Sequence, residues 1–198
     1  MKTKKKTKIK ALNIYDNIKY IIYLRRGVFM KDKIETNIRK WISLIVAVLI
    51  YYVIHEGSHL LVALSYGVFK KIKLSTLGVQ IVINDANLSN FNLAIFCVVG
   101  FLSTFITSYI LVLLTNKIVK LKSKYLKTIF YYTTLIFLLL DPLYLTILYN
   151  FVGGGDMNGI LLFNISNTII KLFFFIILIL NLFVFIKVVL PKYKKSFN

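Results

Sequence analysis

Five residues in the first apolar stretch of the chain could do chemistry, and they read His55-Glu56-Gly57-Ser58-His59. On an α-helix, side chains four residues apart lie on one face about one turn apart, so both imidazoles could reach one metal ion. The glutamate beside the first histidine could then contact a metal-bound water. Two histidines and a carboxylate at this spacing are typical of zinc-dependent peptide hydrolysis, with Glu56 as the general base.

Composition makes this pattern hard to attribute to chance. The chain has only two histidines and two glutamates, and the pattern contains both histidines and one of the glutamates. Ionisable side chains that face lipid are costly, so those within apolar segments usually face the protein interior and mark functional sites. The alternative is a structural role, in which the histidines hydrogen-bond to neighbouring helices and Glu56 pairs with a lysine.

The chain as a whole is too apolar for an ordinary soluble domain. Of its 198 residues 58% are hydrophobic, and the mean hydropathy is +0.76, which is typical of a polytopic membrane protein. The net charge of +19 comes largely from lysines that flank the apolar blocks. The expected partners of these lysines are therefore anionic lipid headgroups and not nucleic acid. The single cysteine, Cys97, cannot form an internal disulfide.

The apolar blocks predict an all-α membrane protein with about four transmembrane helices, each long enough to cross roughly 30 Å of hydrocarbon. Alternating residues on either side of Gly78 predict a short β-hairpin after the first helix. In the second span Gly100, Thr104 and Ser108 recur every four residues, which predicts a helix-packing surface without chemistry. The predicted spans are residues 41–66, 93–115, 128–150 and 165–190, and the hairpin is residues 71–83.

Both ends of the chain are basic. Residues 1–40 hold thirteen of the twenty-six basic residues. The mixture of apolar and basic residues at 9–29 favours an amphipathic helix on the cytoplasmic headgroups, the alternative being a solvated tail. No cleavage signal is evident, so we expect this segment in the mature protein. The predicted division is an interfacial segment (1–40), a membrane-embedded metalloprotease domain (41–190) and a basic tail (191–198).

The distribution of lysines predicts how the spans are oriented. Residues 117–127 hold five lysines, whereas residues 151–164 hold none. By the positive-inside rule, both termini and residues 117–127 should lie in the cytoplasm. Residues 67–92 should then lie on the far side, although they include three lysines that run against the rule.

A third ligand is needed, because catalytic zinc sites usually have three protein ligands and leave one position for water. The chain has no third histidine, so a carboxylate is expected. Asp156 follows three glycines, just after a span that runs in the same direction as the first, and could reach the level of the histidines. Asp141, inside the third span, is the alternative ligand. It could instead accept a hydrogen bond from a ligand histidine or pair with Lys171.

With these residues the chain resembles the site-2 protease family of intramembrane zinc metalloproteases. That family has H-E-x-x-H in one transmembrane helix and, well downstream, an N-P-x-x-x-L-D-G type motif whose Asp is the third ligand. Here residues 55–59 match the first motif, and residues 150–159 (NFVGGGDMNG) are similar to the second. The resemblance covers roughly residues 41–165 and implies a substrate-positioning role for Asn150. The family's proline after the asparagine and glycine after the aspartate are missing.

The predicted function is hydrolysis of a peptide bond in or near the membrane, with Zn²⁺ held by His55, His59 and Asp156. The expected substrate is a transmembrane or membrane-associated peptide, unwound and paired with the hairpin. The expected location is a bacterial or archaeal cell membrane, and no particular oligomeric state is predicted. Two alternatives stay open. One is a non-catalytic membrane protein for immunity, transport or partner binding, and the other is a zinc peptidase that processes leader peptides or peptide pheromones at the membrane surface.

Overall fold

The structure, a computed structural model, describes the backbone of residues 2–75, 78–152 and 154–197 and the side chains of residues 33–74, 78–151 and 154–197. The chain forms two units, Met1–Ile42 and Ser43–Asn198. The amphipathic surface predicted for residues 9–29 lies outside the described side chains. All the chemistry considered below lies within the second unit.

Helices dominate the described chain, and one two-stranded sheet follows the first helix. The elements are α1 (Lys2–Ser65), β1 (Phe69–Ser75), β2 (Gly78–Ile83), α2 (Asn90–Ile118), α3 (Lys124–Leu143), α4 (Tyr149–Val152), α5 (Gly155–Ile160), α6 (Asn167–Val184) and α7 (Leu190–Phe197). Short 3₁₀ turns lie at Asp85–Asn87 and Leu161–Phe163. The predicted all-α architecture with a hairpin after the first span is confirmed.

Four segments of the described chain are helical, long and apolar enough to cross a membrane, which makes the protein a multi-pass membrane protein. They are Lys33–Ser65, Asn90–Ile118, Lys124–Phe151 and Asn167–Phe197. Large apolar side chains such as Leu61, Leu113 and Phe183 are exposed on their outer faces, as expected where a helix meets lipid. The fourth predicted span, residues 165–190, lies in a helical segment that continues to Phe197.

Both prolines lie inside helices, next to π-helical turns. Pro142 is in α3, which is followed by the π turn Tyr144–Leu148, and Pro191 follows the π turn Phe185–Val189. Proline has no N–H and crowds the carbonyl four residues earlier, and a π turn provides room for the irregularity. The basic tail predicted from residue 191 is helical as far as Phe197.

Serine residues fix the start of three of the membrane helices. Ser89, Ser123 and Ser166 each accept a hydrogen bond from the backbone N–H three residues later. A serine at this position satisfies one of the N–H groups that a helix leaves free at its first turn. Each apolar run therefore becomes helical immediately after a short polar loop.

Two apolar clusters hold the elements that carry the candidate site. The first joins α2, α5 and α6, and its buried members are Phe101, Leu145, Met157, Ile160, Ile170 and Phe174. The second lies under the hairpin and contains Ala63, Val68, Phe96 and Cys97, with Ile81 and Ile83 packed against it. The first cluster fixes α5 against α2, and the second fixes the sheet beside the end of α1.

The hairpin is antiparallel and lies along α1. Ile72 pairs with Ile81 and Lys73 with Gln80. At the start of β2, Gly78 has a φ of +128°, and a Cβ there would lie 2.6 Å from Cζ of Tyr52. Tyr52 is thirteen residues before the end of α1, about 20 Å at 1.5 Å per residue. The hairpin therefore reaches well below the end of the first membrane helix.

Candidate metal centre

Three side chains from α1 and α5 bring their donor atoms to one point. Nε2 of His55 lies 3.3 Å from Nε2 of His59. Oδ2 of Asp156 lies 3.2 Å from Nε2 of His55, and Oδ1 lies 3.6 Å from Nε2 of His59. Among the described residues, this is the one group of three or more histidine, cysteine or acidic side chains close enough to share a metal ion.

His59 is oriented by the backbone of α2. Its Nδ1 lies 2.7 Å from the carbonyl oxygen of Phe96. A carbonyl oxygen can only accept, so Nδ1 carries the proton. In the neutral ring Nε2 then has a free lone pair, which points towards His55 and Asp156.

His55 is oriented by a carboxylate. Its Nδ1 lies 3.4 Å from Oδ1 of Asp141 and 3.3 Å from the hydroxyl of Tyr51. Asp141 is only 2% exposed, and its oxygens accept hydrogen bonds from Tyr51 and Thr104. A buried carboxylate at Nδ1 fixes the ring and the tautomer that leaves Nε2 free for a metal. Of the three roles that the sequence left open for Asp141, its position facing Nδ1 of His55 at 3.4 Å is closest to that of an acceptor beside a candidate ligand.

The chemistry of the three donors fits a divalent cation. In the neutral form of both rings, with Nδ1 protonated, the two Nε2 atoms and the Asp156 carboxylate are all acceptors within 3.6 Å of one another. A proton added to one Nε2 atom would relieve one of these contacts between acceptors, whereas a cation bound between the three groups would relieve all of them. Zinc bonds of 2.0–2.1 Å in a tetrahedron place neighbouring donors about 3.3 Å apart, close to the spacing found here. The residues present therefore fit a zinc ion.

Asp156 reaches the histidines because glycines shape the chain on both sides of it. Gly154 has φ 150° and ψ 153°, a conformation open essentially to glycine alone, and it turns the chain into α5. Gly159 lies against Cys97 of α2, and a Cβ there would clash with the cysteine sulfur. These two positions let α5 approach α2 closely, with Asp156 in its first turn.

The electrostatics of Asp156 suit a ligand. Burial raises the pKa of its carboxyl, but without a metal ion, hydrogen bonds and positive charge from protonated His55 and His59 outweigh this effect and hold the pKa below its usual range. Its side chain is still 27% exposed, whereas those of His55 and His59 are 8% and 4% exposed. The centre is therefore closed on the histidine side and open beside Asp156.

The small-residue stripe of α2, predicted to serve helix packing, lies against the candidate site. A Cβ at Gly100 would lie 2.5 Å from Nε2 of His59 and 2.6 Å from Nε2 of His55. Thr104, one turn later, donates to Asp141. Sequence spacing identified the stripe but could not show that the imidazoles lie against it.

Glu56 lies on the hairpin side of the centre. Its Oε2 accepts a hydrogen bond of 3.2 Å from the backbone N–H of Ile81 in β2. The carboxylate is half-buried and within electrostatic range of both imidazoles and Asp156. The neighbouring Gly57 has no atoms near the position of a Cβ, so space is left beside Glu56.

Asn150 and Lys171 pair with each other and not with the donor atoms. Nζ of Lys171 donates to Oδ1 of Asn150 over 2.6 Å and lies 5.8 Å from the centre of the Tyr149 ring. The amide of Asn150 donates to the carbonyl of Ile147. The possible pairing of Asp141 with Lys171 is therefore not formed, and the exposed Asn150 makes no hydrogen bond to the three donors.

Comparison of the chain with family models, with known proteins and with solved structures finds no match.

Proposed function

We propose that the protein is a membrane-embedded zinc metallopeptidase that hydrolyses a peptide bond in or near the bilayer. The observation that carries the proposal is the convergence of three acceptor atoms from His55, His59 and Asp156. Glu56 follows His55 in α1, and its carboxylate is within electrostatic range of all three groups. When bound, zinc would polarise the scissile carbonyl and acidify a water molecule. The resemblance of residues 55–59 and 150–159 to site-2 proteases supports the same reaction.

Residues of the chain would bind the ion and transfer the proton. His55, His59 and Asp156 would hold the ion and leave one position open, as catalytic zinc sites do. Glu56 would take a proton from the attacking water on a carboxylate oxygen and return it to the leaving amine. The exposed side of Asp156 offers water a path to the centre.

Strand β2 would hold the substrate in an extended form. The N–H of Ile81 points to Glu56 and away from β1. N–H groups two residues apart in a strand point the same way, and a substrate strand would pair with this edge of β2 by displacing Glu56 from the N–H of Ile81. A helical substrate hides its peptide bonds, and pairing of this kind would stabilise it once it is unwound.

The distribution of charge supports the membrane orientation that we propose. Five lysines at residues 117–127 and three at residues 192–195 flank the same ends of the spans. By the positive-inside rule both termini lie in the cytoplasm, near anionic headgroups, and the metal centre lies towards the far side.

Replacing Glu56 by Gln tests the catalytic proposal. The amide keeps the size of the side chain but cannot accept the proton, so zinc should stay bound while cleavage of a membrane peptide library stops. His55→Ala is the matched control, which should lose both zinc and cleavage. A Glu56→Gln protein that still cleaves would contradict the mechanism. If the wild type binds zinc but cleaves nothing, the non-catalytic alternative is favoured.

A further inference from the structure

Helix α6 is apolar apart from one side chain near its C-terminal end. Between residues 172 and 186, Asn181 is the single polar residue, and it is buried. A buried amide in a membrane helix is costly unless its polar atoms are hydrogen-bonded. None of the side chains of α6, all of which are described, belongs to the candidate metal centre, so the proposed function gives Asn181 no role.

The amide of Asn181 joins α6 to two other helices. Its Nδ2 donates to the backbone carbonyl of Leu138 in α3 over 2.7 Å. Its Oδ1 accepts from the hydroxyl of Tyr109 in α2 over 2.8 Å. A carbonyl oxygen can only accept, which fixes the orientation of the amide. Three of the membrane-spanning segments are therefore connected through this one side chain.

Pro142 explains why the carbonyl of Leu138 accepts from another helix. In a regular α-helix this carbonyl would accept from the backbone N–H four residues later. Residue 142 is a proline, which has no N–H, and helices bend at such positions. The π turn Tyr144–Leu148 follows directly. Asn181 therefore supplies the hydrogen bond that the sequence of α3 removes at this turn.

The same turn of α3 carries Asp141, which faces His55. Asp141 lies three residues after Leu138 and next to Pro142. Its carboxylate accepts hydrogen bonds from side chains of α1 and α2, and its Oδ1 lies 3.4 Å from Nδ1 of His55. The backbone that carries this carboxylate is held to α6 by Asn181. A bend of α3 at the proline would move Asp141 relative to His55.

We propose that Asn181 is a positioning residue for the metal centre. By donating to the carbonyl of Leu138, it holds α3 where the carboxylate of Asp141 faces Nδ1 of His55. Helix α6 then controls the orientation of a zinc ligand without contacting the ion. The proposal rests on the proposed function, because that function makes His55 a ligand.

Histidine NMR tests the positioning role without any metal. The chain has only two histidines, so the full-length protein labelled with 15N-histidine in nanodiscs, with chelator present, reports on each ring. Asn181→Leu keeps the branched shape of the side chain but removes both hydrogen bonds. The ring signals of His55 should shift, while those of His59, which is held by the backbone of α2, should stay in place. Unchanged signals, or equal shifts of both rings, would overturn the proposal.

A matched control separates the two hydrogen bonds of the amide. Tyr109→Phe removes only the bond to Oδ1 of Asn181 and keeps the bond to Leu138. The signals of His55 should therefore move much less than in Asn181→Leu. Equal shifts in the two variants would show that the contact with Leu138 is not the one that matters.

Restoring the missing N–H should make Asn181 dispensable. Pro142→Ala supplies an N–H for the carbonyl of Leu138. In this background, Asn181→Leu should leave the signals of His55 where they are in Pro142→Ala alone. A shift as large as that in the wild-type background would contradict the proposal, since Asn181 would then act through another contact.

Zinc affinity, measured by competition with a chelator, gives the second test. Asn181→Leu should weaken zinc binding by about 3- to 10-fold. The same substitution should have little effect in an Asp141→Asn background, because Asn181 acts through Asp141. Equal losses in both backgrounds would contradict the positioning role. If the wild type binds no zinc, the proposed function fails, and the shift of His55 still decides whether Asn181 positions Asp141. If the wild type binds zinc and His55 does not respond, the positioning role alone fails.

Discussion

The two histidines of the candidate centre face the same point but are held in different ways. His59 is fixed by a backbone carbonyl of α2 at 2.7 Å, whereas His55 faces the side chain of Asp141 at 3.4 Å. A helix carbonyl cannot be removed by changing a side chain, but a carboxylate can. His59 is therefore anchored by the fold, while the orientation of His55 depends on a small network of side chains.

The largest effect should come from Gly100, where the backbone of α2 lies against both histidines. Gly100→Ala would place a Cβ 2.5 Å from Nε2 of His59 and 2.6 Å from Nε2 of His55, so both rings must move and zinc binding should be lost. Metal analysis of the purified variant checks this. Gly57→Ala is the control: its Cβ meets nothing within 4 Å, so zinc should be retained, with a gain in helix stability of about 0.5–1 kcal/mol. A Gly100→Ala protein with normal zinc content would show that the rings do not lie as described.

Removing the charge that faces His55 should have an intermediate effect. Asp141→Asn leaves one acceptor oxygen and adds an N–H₂ group that cannot accept from Tyr51 or Thr104. Loss of such a partner typically weakens metal binding by about 10- to 100-fold, and competition with a zinc chelator measures the change. Phe96→Leu keeps the backbone carbonyl at His59 but replaces a ring whose centre lies 4.9 Å from that of the imidazole, so zinc affinity should fall less than in Asp141→Asn. Equal losses of zinc affinity in the two variants would show that His55 depends on a neighbouring side chain no more than His59 does.

The smallest effects should come from the hydroxyl groups that hold Asp141. Tyr51→Phe and Thr104→Val each remove one hydrogen bond to its carboxylate, a loss of about 0.5–1.5 kcal/mol in the free energy of unfolding. Thermal unfolding with and without chelator measures it. Because both hydroxyls donate to Asp141, and Tyr51 alone also contacts Nδ1 of His55, the loss caused by Thr104→Val in particular should be smaller in an Asp141→Asn background. Fully additive losses would show that they act elsewhere.

The structural features that depend on local pattern could be predicted from the sequence. The spacing of His55 and His59 defines one helix face, long apolar runs define four spans, and alternation about Gly78 defines the hairpin. The same periodicity could have identified Tyr51, which precedes His55 by four residues and so lies on the face of the two histidines.

The remaining parts depend on which helices meet, and local pattern does not contain that information. Nothing in the spacing of Gly100 and Thr104 distinguishes a packing stripe from one that lies against two imidazoles. The hydrogen-bonding role of Asp141 required the approach of α3 to α1 and α2, and Pro191 could not be assigned to a helix interior without the π turn before it. Each of these features depends on tertiary structure.

Zinc content of the purified protein shows directly whether His55, His59 and Asp156 hold a zinc ion. We expect close to one zinc ion per chain in the wild type, none in Asp156→Asn, and zinc that is retained at saturating metal but held more weakly in Asp141→Asn. The reverse result, with zinc retained in Asp156→Asn and lost in Asp141→Asn, would assign the third ligand to the other carboxylate and contradict the site described here.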